Sequence, residues 1–170
     1  MNLKKYDIVH SKHSTIVRCS LIISVMTLLA GCWGSTEKST EPKLVLINVL
    51  DPSYFSDCHI KGSINIPFEE VEEKIKTLSK NDHYVLYCSN HACTAAPFSA
   101  QQMQEAGFTH VELLPGGIVE WYQKGLPYNG PAQLQYLHEE NQSLTDEAHG
   151  TVPEISAQQL FEKLKAAQKI

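Results

Sequence analysis

The sequence predicts an α/β fold, with a central parallel sheet flanked by helices in a single domain. Short apolar runs rich in β-branched residues alternate along the chain with segments of helical spacing, which is typical of a parallel sheet. A hydrophobic content of 42% is ordinary for a globular protein, so the chain is expected to bury a core. The length of 170 residues suits one domain with additional segments.

The first half of the domain contains two strand patterns and a helix pattern. Residues 43–50 (KLVLINVL) predict a buried strand that an Asp-Pro-Ser sequence ends. Residues 64–67 predict a short second strand, which a proline stops. Residues 68–80 predict one helix, because apolar residues recur at helical spacing, with acids early and lysines late.

The second half continues the alternation. Residues 83–87 predict a third strand, expected at the centre of the sheet, and residues 94–106 predict a helix that ends at Gly107. Residues 109–113 predict a fourth strand, and residues 118–124 predict a short helix. The motifs that bind ligands in such sheets lie where strands end, so the loop after residues 83–87 becomes the candidate site.

The N-terminus has the layout of a secretory signal. Residues 1–18 carry a net charge of +3, and residues 21–30 are an apolar run. Ten residues of helix span only about 15 Å, too short for a bilayer core of about 30 Å. A basic segment, then a short apolar run and then small residues predict a signal peptide over residues 1–31. A buried N-terminal helix is the alternative.

The signal ends in Leu29-Ala30-Gly31-Cys32, which resembles a bacterial lipobox. The resemblance implies that Cys32 is lipidated and becomes the first mature residue, followed by a flexible tether up to residue 42. It implies a lipid-anchored protein of the bacterial cell envelope that faces the periplasm. Trp33 stands where an aspartate would favour the inner membrane, so the outer membrane is expected.

The charge balance excludes one class of partner. The net charge is −5, and residues 32–170 hold 10 lysines, 18 acidic residues and no arginine. A nucleic-acid binder needs a basic face, so none is expected here. The oligomeric state is left open.

Five cysteines are present, of which Cys58, Cys88 and Cys93 fall within the predicted domain. Cys88 stands between the third strand and the helix that starts at residue 94. Loop N–H groups and the positive end of that helix would favour its thiolate, the reactive form. The sequence therefore predicts a nucleophilic Cys88, with inert packing as the alternative.

Three ordered motifs over residues 43–131 resemble the rhodanese (sulfurtransferase) family. Residues 58–67 (CHIKGSINIP) are similar to its His-Ile-x-Gly-Ala-x-x-Ile-Pro signature, and residues 85–88 (VLYC) to the strand that enters its active-site loop. Residues 115–121 are similar to its Gly-Gly-x-x-x-Trp segment, and residues 125–127 to the end of its domain. The expected fold is therefore rhodanese-like.

The resemblance implies an enzyme in which Cys88 accepts a sulfane sulfur from a donor such as thiosulfate. The resulting persulfide would pass its sulfur to a thiol or another nucleophile, so the implied partners are a sulfur donor and a thiol acceptor, small molecule or protein. Backbone amides of the loop would bind the anionic substrate. The loop residues so implied are Ser89, Asn90, His91, Ala92 and Cys93.

The sequence departs from the family pattern at several positions. Asn48 replaces an aspartate and Leu50 an arginine in the first strand, and the loop has no Arg or Lys. The natural donor is therefore expected to differ from thiosulfate. Related phosphatases carry an arginine six residues after the cysteine, where this chain has Thr94, so phosphatase activity is not expected.

Two other functions remain open at this point. One is a non-catalytic binding module with a rhodanese fold. The other is a thiol redox protein in which Cys88 and Cys93 form a disulfide, although Cys93 could equally be a small residue that faces the core. Cys88, His91 and Cys93 do not make a four-ligand zinc site, so neither a metal nor a cofactor is expected.

The C-terminus has its own pattern. Residues 132–151 are polar and are interpreted as a linker, whereas residues 152–170 contain a helix with Ser156 at its start and an apolar face. Residues 152–160 resemble the strand and helix that open a rhodanese domain and that are missing before residue 43. We expect this segment to dock on the sheet as a permuted first element, or else to be a free remnant of a second domain.

Overall fold

A parallel sheet with helices on both faces forms the centre of the structure, a computed structural model that describes residues 41–141 and 151–170. Residues Glu41–Ile170 belong to one unit. Short 3-10 helices lie at Phe68–Glu70, Ile75–Thr77 and Gln135–His138. The strands are β1 (Leu44–Asn48), β2 (His59–Ile60), β3 (Ile64–Asn65), β4 (His83–Tyr87), β5 (Val111–Leu113) and β6 (Tyr128–Asn129). The helices are α1 (Pro52–Asp57), α2 (Val71–Lys74), α3 (Ala95–Glu105), α4 (Gly117–Gln123) and α5 (Ala157–Ala166).

The sheet has the strand order β3–β1–β4–β5, and every neighbouring pair is parallel. The predicted parallel sheet is thus confirmed, with β4 in its interior as expected. The short strands β2 and β6 form an antiparallel ribbon beside it, with His59 opposite Asn129. This ribbon is not predicted from the sequence, because two-residue strands leave no readable alternation.

Strand β4 is buried on both faces. Val85 and Tyr87 point into one core cluster, together with Trp121 of α4. Leu86 and the following Cys88 belong to the opposite cluster, which α2 and α3 cover. A strand buried on both sides reads as a continuous apolar run, which is what residues 84–88 show.

The prediction of one continuous helix over residues 68–80 is wrong. The structure divides this segment into a 3-10 turn, the four-residue α2 and a second 3-10 turn. Among its apolar residues only Val71 is fully buried, whereas Ile75 and Leu78 are half-buried. Four glutamates lie within residues 69–73, and a helix with little packing and crowded like charges is marginal.

The Asp-Pro-Ser sequence after β1 does more than end the strand, because it begins α1. Pro52 occupies the first turn of this helix, where the missing N–H costs nothing. The helix α1 is therefore an addition to the strand break predicted at these residues.

The packed part of the chain extends beyond residue 131, where the predicted linker begins. Leu137 is fully buried against the α4 side of the sheet. The Asp57 carboxylate accepts hydrogen bonds from the backbone N–H groups of Gln133 (2.9 Å) and Leu134 (3.1 Å). The first ten residues of the predicted linker, 132–141, thus include buried and hydrogen-bonded positions.

The predicted signal peptide, lipidated Cys32 and most of the tether fall in residues 1–40, outside the described residues. The later part of the predicted linker, residues 142–150, lies outside them as well. Within residues 41–141 and 151–170, no helix has the length and apolar character needed to cross a bilayer.

The C-terminal segment lies along the free edge of β5. The backbone N–H of Leu113 donates to the carbonyl of Pro153 (2.8 Å), and the Leu113 carbonyl accepts the N–H of Ile155 (2.9 Å). These two hydrogen bonds form a parallel bridge. Helix α5 follows, with a capping box between Ser156 and Gln159. Leu160 and Leu164 of α5 are buried with Trp121 in the α4-side core. These contacts cover apolar surface that β5 would otherwise expose.

We expect truncation after Gly150 to lower the melting temperature by several degrees, because it uncovers this part of the core. Leu160→Ala alone should cost about 2–5 kcal/mol, as is usual for a buried leucine. Urea and thermal unfolding measure both effects. Gln158→Ala, an exposed position on the same helix, is the control and should change stability little. Equal stability of the Leu160→Ala variant and the wild type would contradict the described packing.

Candidate active site

Cys88 is the first residue after β4 and is only 2% exposed. It leads into a loop that ends at Thr94, the residue before α3. The carboxyl end of an interior parallel strand is where α/β proteins place ligands, and the loop lies there. The structure thus places the predicted residues 88–93 together on this loop.

The start of α4 holds the first two loop residues. The backbone N–H of Ile118 donates to the Cys88 carbonyl (3.0 Å), and that of Val119 donates to the Ser89 carbonyl (2.9 Å). These N–H groups belong to the first turn of a helix and would otherwise lack partners.

Gly117 makes this close approach feasible. Its φ is +58°, and a Cβ atom added there would lie 2.5 Å from both the Cys88 and the Ser89 carbonyl oxygens. Only glycine combines this backbone conformation with such proximity. The Gly-Gly motif singled out in the sequence therefore positions the loop.

Three loop amides donate to acceptors of the protein itself. The N–H of Cys93 donates to the carbonyl of Asn90 (3.1 Å), and the N–H of Ala92 to its side-chain Oδ1 (3.1 Å). The N–H of His91 donates to Oδ1 of Asn141 (3.4 Å). A substrate anion would have to compete with these acceptors, so the expected anion binding by the amides of residues 91–93 requires the loop to rearrange.

The amides that contact the Cys88 sulfur are those of Ser89 and Ala96. Both lower the pKa of the Cys88 thiol, as the sequence analysis expected of the loop and the helix start. Burial outweighs them and raises this pKa well above its usual value. The balance therefore favours the thiol form of Cys88, so its reaction as a nucleophile requires removal of the proton.

Cys93 is the ionised partner of Cys88. The Cys88 thiol hydrogen-bonds to the Cys93 sulfur, and this bond lowers the pKa of Cys93 to about 6. Amides of Ser89 and Ala95 and the Ser89 hydroxyl act in the same direction. The Cys88 Sγ also lies 3.3 Å from the Cys93 carbonyl oxygen. The contact between the two thiols therefore favours the proton on Cys88 and the negative charge on Cys93.

Asn141 is a site residue that the sequence analysis missed. Its Oδ1 accepts from His91, and its Nδ2 donates to the Gly116 carbonyl (3.2 Å), so it joins the loop to the start of α4. The preceding chain is fixed by Gln123, whose Nε2 donates to the carbonyls of Leu137 (3.1 Å) and Glu139 (2.7 Å). No local pattern marks an asparagine in a polar stretch as part of a distant loop.

The motif around β2 serves the framework of the site. The Tyr87 hydroxyl accepts the buried N–H of Ile60 (3.0 Å) and hydrogen-bonds to Ser63 (2.7 Å). Burial raises the pKa of Tyr87 to about 12, so the hydroxyl stays neutral. His59 stacks on Phe55 and hydrogen-bonds to its carbonyl (2.7 Å).

Cys58 is fully buried, and burial together with Asp57 raises its pKa to about 12, so it is unreactive. Among the described residues, Cys58, Cys88 and Cys93 are all free thiols. The described part of the chain also contains no group of three or more His, Cys, Asp or Glu residues arranged to hold a metal ion.

Comparison with protein families matches residues 36–124 to the Rhodanese-like domain. Among known proteins, the chain is 38% identical over 72 residues to the thiosulfate sulfurtransferase PspE of Escherichia coli K12, covering 41% of this chain and 67% of that protein. It is 32% identical over 92 residues to the HTH-type transcriptional regulator Rv0324 of Mycobacterium tuberculosis, covering 54% of this chain and 40% of the regulator. It is 27% identical over 85 residues to the putative sulfur carrier protein YrkF of Bacillus subtilis, covering 50% of this chain and 45% of that protein. The chain therefore spans less than half of two of these three relatives.

Solved structures similar to the chain include a rhodanese with anions from E. coli, at 30% identity and a TM-score of 0.43, covering 51% of this chain and 98% of that one. The Rhodanese_3-like domain of the Alr3790 protein from Anabaena has 27% identity and a TM-score of 0.47, covering 51% of this chain and 92% of that one.

Two glycines of left-handed conformation test the role of Gly117. Gly117→Ala should displace the loop and break the hydrogen bonds that the backbone N–H groups of Ile118 and Val119 donate, each worth about 1 kcal/mol. The unfavourable backbone conformation of the alanine should lower the stability further. Gly125→Ala should cost only about 1–2 kcal/mol, because Gly125 has a φ of +65° but open space around its Cβ position. Urea unfolding measures stability, and the rate of Cys88 alkylation reports loop opening. Equal effects of the two substitutions would contradict the close approach at Gly117.

Proposed function

Because this chain belongs to the rhodanese-like domain family, we propose that it is a sulfurtransferase whose Cys88 accepts a sulfane sulfur as a persulfide and passes it to a thiol. The match confirms the family predicted from the sequence motifs. The observation that carries the proposed activity is the position of Cys88, which directly follows the central strand and is contacted by the amides of Ser89 and Ala96. Relatives named as a thiosulfate sulfurtransferase and a putative sulfur carrier protein support the same chemistry.

The reaction begins with transfer of the Cys88 proton to the Cys93 thiolate to which it is hydrogen-bonded. The Cys88 thiolate then attacks the sulfane sulfur of the donor, and the donor's S–S bond breaks. With thiosulfate, the leaving group is sulfite, which takes the electron pair. The acceptor thiolate next attacks the outer sulfur of the persulfide, and Cys88 leaves as a thiolate.

The electrostatics of the loop favour a donor other than thiosulfate. Residues 81–123 contain neither lysine nor arginine, so a doubly charged anion meets no permanent cation on the loop. Three of the loop amides are already bound to protein acceptors. We therefore propose that a persulfide carried on a small thiol or a protein is the better donor.

The first experiment measures loading of Cys88 in one turnover. We expect the fully reduced protein, given one equivalent of a sulfane donor, to gain about 32 Da on Cys88 in samples quenched early, and this mass should be removable by cyanide. With thiosulfate, sulfite should appear in equal amount. Low-molecular-weight persulfides should load faster than thiosulfate. Cys88→Ser should abolish loading, whereas Cys58→Ala, which changes a buried thiol outside the loop, should not.

Absence of loading with every donor would contradict the sulfurtransferase proposal. It would favour the non-catalytic binding module instead, a function consistent with the internally bonded loop amides. Retention of a partner protein by the Cys88→Ala variant would then be its distinguishing property.

We also propose that lipid on Cys32 anchors the protein at the periplasmic side of the bacterial envelope, with the outer membrane as its destination. The support is the Leu-Ala-Gly-Cys sequence after a short apolar run. Several acyl chains are needed for stable attachment, because a single chain binds only marginally.

Cys32→Ala should block processing or release the protein from membranes. Cell fractionation with immunodetection measures this, and Cys19→Ala, inside the predicted signal, is the control that should remain attached. Normal processing and membrane retention of the Cys32→Ala variant would contradict the lipid anchor.

A further inference from the structure

We propose that Cys93 resolves the Cys88 persulfide, so that the protein releases the bound sulfur as hydrosulfide and ends as a Cys88–Cys93 disulfide. This gives the chain a second activity, the reduction of sulfane sulfur, and it rests on the proposed loading of Cys88. The inference follows from how the two thiols are placed within one short loop.

The Cys88 thiol lies in contact with Cys93. The Cys88 thiol is hydrogen-bonded to the Cys93 sulfur, and its Sγ lies 3.3 Å from the Cys93 carbonyl oxygen. The bond from the Cys93 N–H to the Asn90 carbonyl (3.1 Å) closes the loop and holds Cys93 in place. A disulfide needs Cα atoms within about 7 Å, a separation that a curled six-residue loop can give.

The two thiols differ in access. Cys88 is 2% exposed, whereas Cys93 is only partly buried. An external thiol therefore meets Cys93 before it reaches the inner sulfur of a Cys88 persulfide. Among the described residues, Cys58 is the one other cysteine, and it belongs to the core cluster on the opposite face of the sheet from Cys88. Cys93 is the nucleophile placed to attack that inner sulfur.

Formation of the disulfide needs only the Cys88 persulfide and Cys93. After loading, Cys88 carries a persulfide anion and Cys93 carries the proton that Cys88 gave up. The Cys93 sulfur attacks the Cys88 Sγ, a new S–S bond forms, and the bond between Sγ and the outer sulfur breaks. The outer sulfur leaves with the electron pair and the Cys93 proton as hydrosulfide. The outer sulfur is reduced, and Cys93 is oxidised.

The disulfide must be reduced before another turnover, and we assign this step to a dithiol reductant. The reductant attacks the more accessible Cys93 sulfur and releases Cys88 as a thiolate. The dithiol closes into its own disulfide. The complete cycle converts one sulfane sulfur and one dithiol into hydrosulfide and a disulfide.

The test is a single turnover of the full chain, reduced, freed of small thiols and given one equivalent of thiosulfate or of a faster donor from the loading experiment. Trypsin releases residues 81–124 as one peptide in which Cys88 and Cys93 are the only cysteines. The wild type should release about one hydrosulfide per loaded Cys88, and its peptide should become about 2 Da lighter as the disulfide forms. Cys58→Ala should behave as the wild type.

Cys93→Ser should load Cys88 more slowly, because it removes the proposed proton acceptor, but the persulfide that forms should persist as a cyanide-removable gain of about 32 Da and release less than about one tenth of the hydrosulfide per loaded Cys88. Because the hydrosulfide is counted per loaded Cys88, slower loading of the variant does not change this comparison. The rate of hydrosulfide release in the wild type should not depend on protein concentration, since both thiols lie in one loop.

The outcomes separate the two proposals. Stable persulfide on the wild type without hydrosulfide, equal release by Cys93→Ser, or a rate proportional to protein concentration would overturn the role of Cys93 and leave the sulfurtransferase proposal standing. Absence of loading in both proteins would instead contradict the sulfurtransferase proposal, and the second activity with it.

Discussion

Burial of β4 on both faces is the constraint on which the rest of the structure depends. Val85 and Tyr87 belong to the core cluster under α4 and α5, whereas Tyr84 and Leu86 belong to the cluster under α2 and α3. A strand held in this way cannot shift its register without moving apolar side chains from one core to the other. Its carboxyl end is therefore fixed, and the thiol of Cys88 is fixed with it.

The loop after β4 is held by parts of the chain that lie far apart in sequence. The start of α4 binds its first carbonyls through the close approach at Gly117, and Asn141 joins His91 to Gly116. Asp57 anchors the backbone that leads towards Asn141. The segment after the matched domain therefore belongs to the framework of the site.

The acid–base state of the loop follows from burial and thiol contact, since the loop itself has no lysine or arginine. Burial raises the pKa of Cys88, and contact with Cys88 lowers the pKa of the more exposed Cys93. Donor binding that moves the proton between the two sulfurs would activate Cys88. The negative charge is thus favoured on the cysteine in contact with the proposed nucleophile, and both proposed activities depend on this pair of thiols.

The sequence by itself determined the fold class, the family and the position of Cys88 at the end of the central strand, because these depend on local apolar runs and on contiguous motifs. It could not determine the break in residues 68–80, the β2–β6 ribbon or the packing of residues 132–141. Each of these depends on contacts between distant residues, such as the Asp57 carboxylate with the amides of Gln133 and Leu134. The tertiary structure alone decided that the pKa values of Cys88 and Cys93 shift in opposite directions and that Asn141 reaches the loop, because burial and hydrogen-bond partners exist only once the chain is folded.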